Sequence, residues 1–306
     1  MPNPPPMPAA DARSYRCRWC GHSSDAASTS CPRCGAPVDV QSASTKSGWS
    51  ELPAIKDMAK IQFGQSFCQI EGKYVPVADF KLAGGDGVYF AHHLLLWKDE
   101  QVQISKMPLA GAWKRLFAGL PLIMTQASGP GRIAFSKDAP GEMIALPLDA
   151  GQSVEVREHV FLVASSQVTY DWFQTGIWFT TQSGKDSETH YPIGMFMDRF
   201  SAAGSAPGLL LLHGHGNVFV RNLQPGQQIV IKPTSLLFKD PTVVMNLHME
   251  YPGRIQQTFW RSWGNRYVWL RLTGPGRVAV QSHFEPMEDN GFPIRSTPPI
   301  TTSRQW

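Results

Sequence analysis

Three short apolar segments with the same pattern recur along the chain, and they constrain its fold more than any other feature. They are LLLWKDEQV at 94–102, FLVASSQV at 161–168 and LLFKDPTV at 236–243. Aligned on Leu95, Phe161 and Leu236, the copies are spaced by 66 and then 75 residues. Tandem units of this kind share one apolar interior, because a single unit is too short to bury its own apolar face.

Glycine turns punctuate the same repeat. One series precedes each copy, in GDGVYFAHHLL at 85–95, GQSVEVREHVF at 151–161 and GQQIVIKPTSL at 226–236. A second G-x-G series opens β-branched strands in SGPGRIAF at 128–135, HGHGNVFV at 213–220 and TGPGRVAV at 273–280. With 27 Gly and 25 Pro, the chain favours many short strands over long helices. We expect an all-β fold, an internally duplicated β-sandwich or double-stranded β-helix-type domain.

Composition shifts divide the chain into five predicted segments. They are a disordered Pro-rich N-terminus at 1–14, a zinc ribbon at 15–36, a flexible linker at 37–55, the repeated β-sandwich at 56–285 and a loose tail at 286–306. At 306 residues and 42% hydrophobic, the chain can bury a sizeable core. The boundary between the small module and the large domain is predicted within the linker.

Four of the five cysteines form two C-x-x-C pairs, Cys17 with Cys20 and Cys31 with Cys34. Two such pairs can surround one zinc ion tetrahedrally, and a glycine follows each pair where a knuckle turn needs a permissive backbone. Disulfides are the alternative, but they need an oxidising compartment, and residues 1–16 have no apolar core of the kind that a secretion signal needs, so we expect none to form. We therefore predict a structural zinc site, because four thiolates leave no open coordination position. The fifth cysteine, Cys68, has apolar neighbours and is predicted to be a buried strand residue.

A second metal site is conceivable at His213, His215 and His248 with Glu250, because the HGH sequence resembles part of a cupin-type centre. His215 aligns with Pro130 and Pro275 in the second glycine series, which is a turn position. We therefore do not expect a metal there. No phosphate loop, G-x-S-x-G or H-E-x-x-H motif occurs, so we expect no enzyme.

Arginines and aromatic residues alternate in RIQQTFWRSWGNRYVWLRL at 254–272. Such a mixture can stack bases and hold phosphates, or it can anchor a protein partner. A half-buried strand over Tyr267–Leu272 explains the alternation more simply. The net charge of +4 neither requires nor excludes nucleic acid.

The segment at 105–122 interrupts the repeat and has apolar residues at helical spacing, so we expect a short amphipathic helix or an ordered loop. An amphipathic segment of this kind can make a peripheral membrane contact, which is one partner that residues 105–122 suggest. No apolar run reaches the length of a membrane span, and we expect a soluble, cytoplasmic protein.

The run at 111–166 resembles the signature region of the family named for altered inheritance of mitochondria protein 24. The matching elements are Lys114-Arg115, the turn at 129–131, Pro140-Gly141 and the strand at 161–165; the strand at 272–282 also fits. The resemblance spans about residues 58–285. It implies a duplicated β-sandwich of double-stranded β-helix type, related in fold to the trp RNA-binding attenuation protein. It implies no catalytic residues, and the zinc ribbon is an addition to the family pattern.

These observations predict a non-enzymatic intracellular scaffold or binding protein. The zinc ribbon would recognise an unknown protein partner, and the β-sandwich would form homo-oligomers, since unpaired sheet edges favour pairing with sister subunits. Nucleic-acid binding through the ribbon and 254–272 is the first alternative. A cupin-like metal enzyme is the second.

Overall fold

The computed structural model describes residues 14–17, 22–25, 30–35, 49–51, 59–72, 74–107, 124–202, 204, 206–250, 267–284 and 294–297. This part of the chain consists of β-strands with two 3-10 turns and no α-helix, so the all-β prediction is confirmed. No helix among these residues is long and apolar enough to cross a membrane.

Eighteen strands form three units of six strands with one shared topology. Unit 1 consists of β6 (Val77–Leu82), β7 (Gly87–Ala91), β8 (Leu95–Lys98), β9 (Gln103–Lys106), β10 (Met124–Ser128) and β11 (Gly131–Ser136). Unit 2 consists of β12 (Glu142–Leu148), β13 (Ser153–Arg157), β14 (Phe161–Ser165), β15 (Val168–Gln174), β18 (Phe196–Ala202) and β19 (Gly208–Gly214). Unit 3 consists of β20 (Val218–Leu223), β21 (Gln228–Ile231), β22 (Leu236–Lys239), β23 (Val244–Glu250), β24 (Tyr267–Thr273) and β25 (Gly276–Gln281).

The remaining strands lie at the ends of the chain or interrupt unit 2. They are β1 (Ser14–Arg16), β2 (Ser23–Asp25), β3 (Ser50–Glu51), β4 (Ala59–Phe63), β5 (Ser66–Glu71), β16 (Phe179–Ser183), β17 (Asp186–His190) and β26 (Ile294–Ser296). β3 lies in the predicted linker and pairs with β20, while β26 lies in the predicted tail and pairs with β16. Each of these two segments therefore contributes a paired strand.

Within each unit the second, fourth and fifth strands form one half-sheet, and the first, third and sixth form another. Half-sheets of successive units then join edge to edge. The resulting strand orders are β4-β5-β6-β11-β8 for sheet I, β12-β19-β14-β7-β10-β9 for sheet II, β15-β18-β13-β22-β25-β20-β3 for sheet III and β21-β24-β23 for sheet IV.

The four sheets share three successive apolar clusters. Sheets I and II enclose the first, sheets II and III the second, and sheets III and IV the third. Sheets II and III are therefore covered on both faces, which explains why β7, β14 and β19 are buried at every position. Such strands show no alternation between polar and apolar residues, and their continuous apolar runs follow from this burial.

The turn after the fifth strand repeats one hydrogen bond in all three units. The backbone N–H of Arg132 donates to Asp99 Oδ2 at 2.7 Å, and that of Arg277 donates to Asp240 Oδ2 at 2.8 Å. In unit 2 the N–H of Leu209 donates to Ser165 Oγ at 3.0 Å. The glycine just before each donor is required, since a Cβ at Gly131, Gly208 or Gly276 would approach a valine methyl within 2.7, 2.3 or 2.9 Å.

This geometry corrects one part of the sequence alignment. The sequence pattern predicts the second copy of the G-x-G turn at His213–Gly216, but these residues lie at the end of β19 and in the connection to β20, where unit 2 joins unit 3. The true second copy is Ala206-Pro207-Gly208, between β18 and β19. Because Ala206 replaces the first glycine, this segment does not fit the G-x-G pattern by which the other two turns are recognised.

Candidate metal centre and other chemical sites

Three of the four predicted zinc ligands lie together at the N-terminus. The sulfurs of Cys17, Cys31 and Cys34 all lie within 4.8 Å of one another, and Cys17 Sγ lies 3.6 Å from Cys34 Sγ. That separation is far longer than the roughly 2.05 Å of a disulfide bond. Cys20 lies outside the described residues. The three thiols are close enough to hold a metal ion, and soft thiolates suit zinc.

Local hydrogen bonds explain how the cysteines converge. The hairpin of β1 and β2 leads into and out of the first cysteine pair, and the N–H of Cys17 donates to His22 O at 2.8 Å. In the second knuckle, the N–H of Gly35 donates to Cys31 O at 2.8 Å. Gly35 has a φ of +71°, a conformation that favours glycine.

The second knuckle also lies against the large domain. A Cβ on Gly35 would come within 2.7 Å of the backbone nitrogen of Lys60. Lys60 belongs to β4, which is the edge strand of sheet I. The cysteine module therefore contacts the sheet stack at this edge.

The histidine site considered from the sequence is not brought together. His213 lies in β19 of sheet II, while His248 lies in β23 of sheet IV. His213 is fully buried, and its Nε2–H donates to Ala139 O at 3.1 Å. Burial, and then the neighbouring His215, lowers the pKa of His213 to about 4. Among the described residues, the cysteine cluster is the only group of three or more His, Cys, Asp or Glu side chains that lie close enough together to hold a metal ion.

Cys68 lies in β5 and is fully buried, as predicted. Burial raises the pKa of its thiol well above the ordinary value, with a further contribution from Asp79. A thiol that resists ionisation is a poor nucleophile, so Cys68 has a packing role.

The described part of the arginine-aromatic segment, residues 267–272, is a strand, as the alternation indicated. In β24, Val268, Leu270 and Leu272 are buried, while Tyr267 is exposed and Trp269 is half-buried. Tyr267 and Trp269 stack on the outer face of sheet IV, and Lys232 Nζ lies 5.5 and 5.2 Å from their ring centroids. Residues 251–266, which include Arg254, Arg261, Arg266 and Trp263, lie outside the described residues.

The topology reveals a relation that the sequence did not show. In each unit an additional stretch of chain separates the fourth strand from the fifth. It consists of residues 107–123 in unit 1, the stretch with the β16–β17 hairpin in unit 2 and residues 251–266 in unit 3. The candidate amphipathic segment and the candidate arginine-aromatic segment are therefore equivalent insertions. Residues 108–123 lie outside the described residues, so the amphipathic helix stays a prediction.

A shallow depression lies on sheet I and is lined by Lys60, Phe67, Gln69, Asp79, Lys81 and Arg132. Asp79 forms an ion pair with Arg132 at 2.6 Å, and its Oδ1 has no hydrogen-bond partner among the described residues. Burial raises the pKa of Asp79, and the Arg132 guanidinium opposes that shift.

Comparison with known proteins identifies the family. The family model described as mitochondrial biogenesis AIM24 matches residues 68–283, which is well over half of the chain. The chain belongs to the AIM24 family. The match covers all three units and most of β5, and it includes neither β4 nor the cysteine module.

A solved structure supports the fold assignment. The crystal structure of protein SPYM3_0169 from Streptococcus pyogenes is similar with a TM-score of 0.51 and 18% sequence identity, and the match covers 72% of this chain and 94% of that chain. At this identity the similarity shows the fold alone. No curated protein matches the chain.

Proposed function

We propose that this AIM24-family chain is a non-enzymatic scaffold of the cytoplasm, in which a zinc-held cysteine module and a self-associating β-sheet stack present binding surfaces. The observation that carries the proposal is the convergence of three thiols beside the edge of sheet I. With Cys20 as the fourth ligand, zinc would have no open coordination position for a substrate, and the site would be structural rather than catalytic. The module would then hold a surface for a protein partner.

Two ion pairs of the large domain, one buried and one half-buried, support a structural role. Glu155 and Lys239 are each 4% exposed, and they contact each other across the junction of units 2 and 3. Asp240 and Arg277 form a second pair at 2.9 Å between adjacent segments of unit 3. These charges bind one another and hold strands together, as expected in a scaffold.

Metal content tests the zinc site. The full-length protein is expected to contain one zinc per chain by elemental analysis, because two knuckles supply one tetrahedral site. Cys17→Ser and Cys34→Ser should each lower the zinc content strongly. Cys68→Ser is the matched control, since Cys68 is a buried cysteine outside the cluster, and it should keep the metal. A wild-type chain without stoichiometric zinc would contradict the proposal.

Affinity capture from the native cell tests the scaffold role. Proteins retained by the wild-type chain and lost with Cys17→Ser would be partners of the cysteine module. The nucleic-acid alternative is favoured by the stack of the exposed Tyr267 on the half-buried Trp269, beside Lys232 on sheet IV. It predicts that bound material is nuclease-sensitive and is lost steeply between roughly 50 and 200 mM salt, because phosphate contacts release counterions. Nuclease-resistant protein partners would favour the scaffold instead.

A further inference from the structure

The two junctions between units follow one rule. β7 of unit 1 pairs antiparallel with β14 of unit 2, and β13 of unit 2 pairs antiparallel with β22 of unit 3. In both cases the second strand of one unit pairs with the third strand of the next. The chain therefore has a repeated mode of edge-to-edge assembly.

The two junctions also share a register. At the first, Phe90 is opposite Val163 and Tyr89 is opposite Ala164. At the second, Val156 is opposite Phe238 and Glu155 is opposite Lys239. Adding 66 to the residue numbers in β7 and 75 to those in β14 converts the first set of pairs into the second. Equivalent positions of the repeat are therefore paired at both junctions.

The rule leaves one strand without its partner at each end of the repeat. In the described part of the chain, β8 of unit 1 pairs only with β11, and β21 of unit 3 pairs only with β24. These two edges are apolar and exposed: Leu96 is 56%, Trp97 41% and Val230 45% exposed. The counterparts of β8 in the other two units, β14 and β22, are buried at every position, and so are the three central residues of β13, which is the counterpart of β21 in unit 2.

The end of β8 already has the local arrangement of a paired third strand. Lys98 Nζ donates to the carbonyls of Asp99 and Val102, each at 3.2 Å. The equivalent Lys239 Nζ donates to the carbonyls of Asp240 at 3.3 Å and Val243 at 2.8 Å. β8 also has, opposite β11, the register shift that β14 and β22 have opposite β19 and β25. An exposed apolar edge strand is a template for pairing with another chain.

We propose that β21 of one copy of this chain pairs antiparallel with β8 of a second copy, with Ile231 opposite Trp97 and Val230 opposite Lys98. Sheet IV of one copy and sheet I of the next then form one continuous eight-stranded sheet. The contact is head-to-tail, so it builds a closed ring or an open fibre. This inference rests on the self-association proposed above and specifies the surfaces and register through which it occurs.

Cysteine cross-linking between two differently tagged full-length chains tests the register. One chain carries Lys98→Cys and the other Val230→Cys, so a disulfide between the two tags joins separate molecules. Opposite residues in an antiparallel pair have Cα atoms about 4.5–5.5 Å apart, within the reach of a disulfide. Mild oxidation with diamide is expected to give a mixed-tag dimer on non-reducing gels.

The matched control replaces Val230→Cys with Gln228→Cys, two residues out of register on the same strand. A two-residue shift moves the Cα by roughly 7 Å along the strand, beyond disulfide reach. The control should give no more mixed-tag dimer than the wild-type pair. Equal cross-linking at 228 and 230 would overturn the proposal.

A charge on the edge provides the second measurement. Leu96 is equivalent to Leu162 and Leu237, both fully buried at the internal junctions, so Leu96→Lys should dissociate the assembly in light scattering. Tyr74→Lys is the control, because Tyr74 is 76% exposed and lies off both edge strands.

An oligomer that forms without the 98–230 cross-link refutes this interface but agrees with the self-association proposed above. A wild-type monomer at every concentration refutes both.

Discussion

At the scale of single residues, the three units keep a contact while changing the side chain that makes it. The acceptor of the turn hydrogen bond is a carboxylate in Asp99 and Asp240 but a hydroxyl in Ser165. Asp240 also binds the Arg277 side chain, whereas unit 2 has Leu209 in the place of that arginine. Unit 2 is the central unit, and the Leu209–Ser165 bond is buried. A neutral acceptor avoids placing a carboxylate there without a cation.

His213 is the residue whose titration we expect to be visible in the stability of the protein. Its pKa in the folded state is about 4, because of burial and the neighbouring His215, while an unfolded histidine titrates near 6.5. Between these values the unfolded chain binds more protons. The free energy of unfolding should therefore fall by up to about 1.4 kcal/mol per pH unit as the pH drops through this window.

Urea unfolding of the wild type and of His213→Gln at several pH values checks this prediction. The variant should lose part of the dependence on pH between roughly 4 and 6.5, whatever its absolute stability. An identical slope in wild type and His213→Gln would show that His213 titrates normally.

At the scale of secondary-structure elements, the junctions between units differ in chemistry although they share a register. The first junction places Tyr89 opposite Ala164, and the second places Glu155 opposite Lys239. Glu155 also accepts a hydrogen bond from Arg199 Nη2 at 2.5 Å. If β22 paired with β7 in this register, Lys239 would lie opposite Tyr89 and would be buried without a carboxylate. We infer that the Glu155–Lys239 pair disfavours this wrong pairing.

Removing one charge at the second junction should destabilise the fold strongly. Glu155→Leu leaves the Lys239 ammonium buried without its carboxylate, and we expect a loss of about 3–5 kcal/mol in the free energy of unfolding. The double variant Glu155→Leu with Lys239→Met should recover most of this loss, because an apolar pair of similar size can replace a buried ion pair. Urea unfolding of both single variants and the double variant gives the coupling energy. Additive losses in the double variant would contradict the prediction.

At the scale of the whole molecule, the cysteine module and the sheet stack have separate sources of stability. Cys17, Cys31 and Cys34 belong to none of the three apolar clusters, and the module meets the stack where Gly35 approaches Lys60. A module this small has too little apolar surface for its own core, so the proposed metal would hold it folded.

Metal removal should therefore loosen one edge of the molecule only. In hydrogen exchange with a zinc chelator, amides of β1, β2 and β4 are expected to exchange faster, while those of β13, β18 and β22 should be unchanged. Cys17→Ser should reproduce the effect without chelator, and Cys68→Ser should not. A uniform increase in exchange across sheets II and III would mean that the metal supports the whole fold.

The sequence by itself determined the β class, the repeat with its turns, and the family, because these depend on local preferences and on apolar periodicity. It also indicated the cysteine cluster, since C-x-x-C spacing reflects chain geometry within a few residues. Only the tertiary structure showed that the three repeats share one six-stranded topology, and that Ala206-Pro207-Gly208, not His213–Gly216, is the second copy of the G-x-G turn. It also showed that His213 and His248 lie in different sheets, and that β8 and β21 are left as unpaired edges. The pairing of strands depends on contacts between residues that are far apart in the chain, and local sequence patterns contain no information about those contacts.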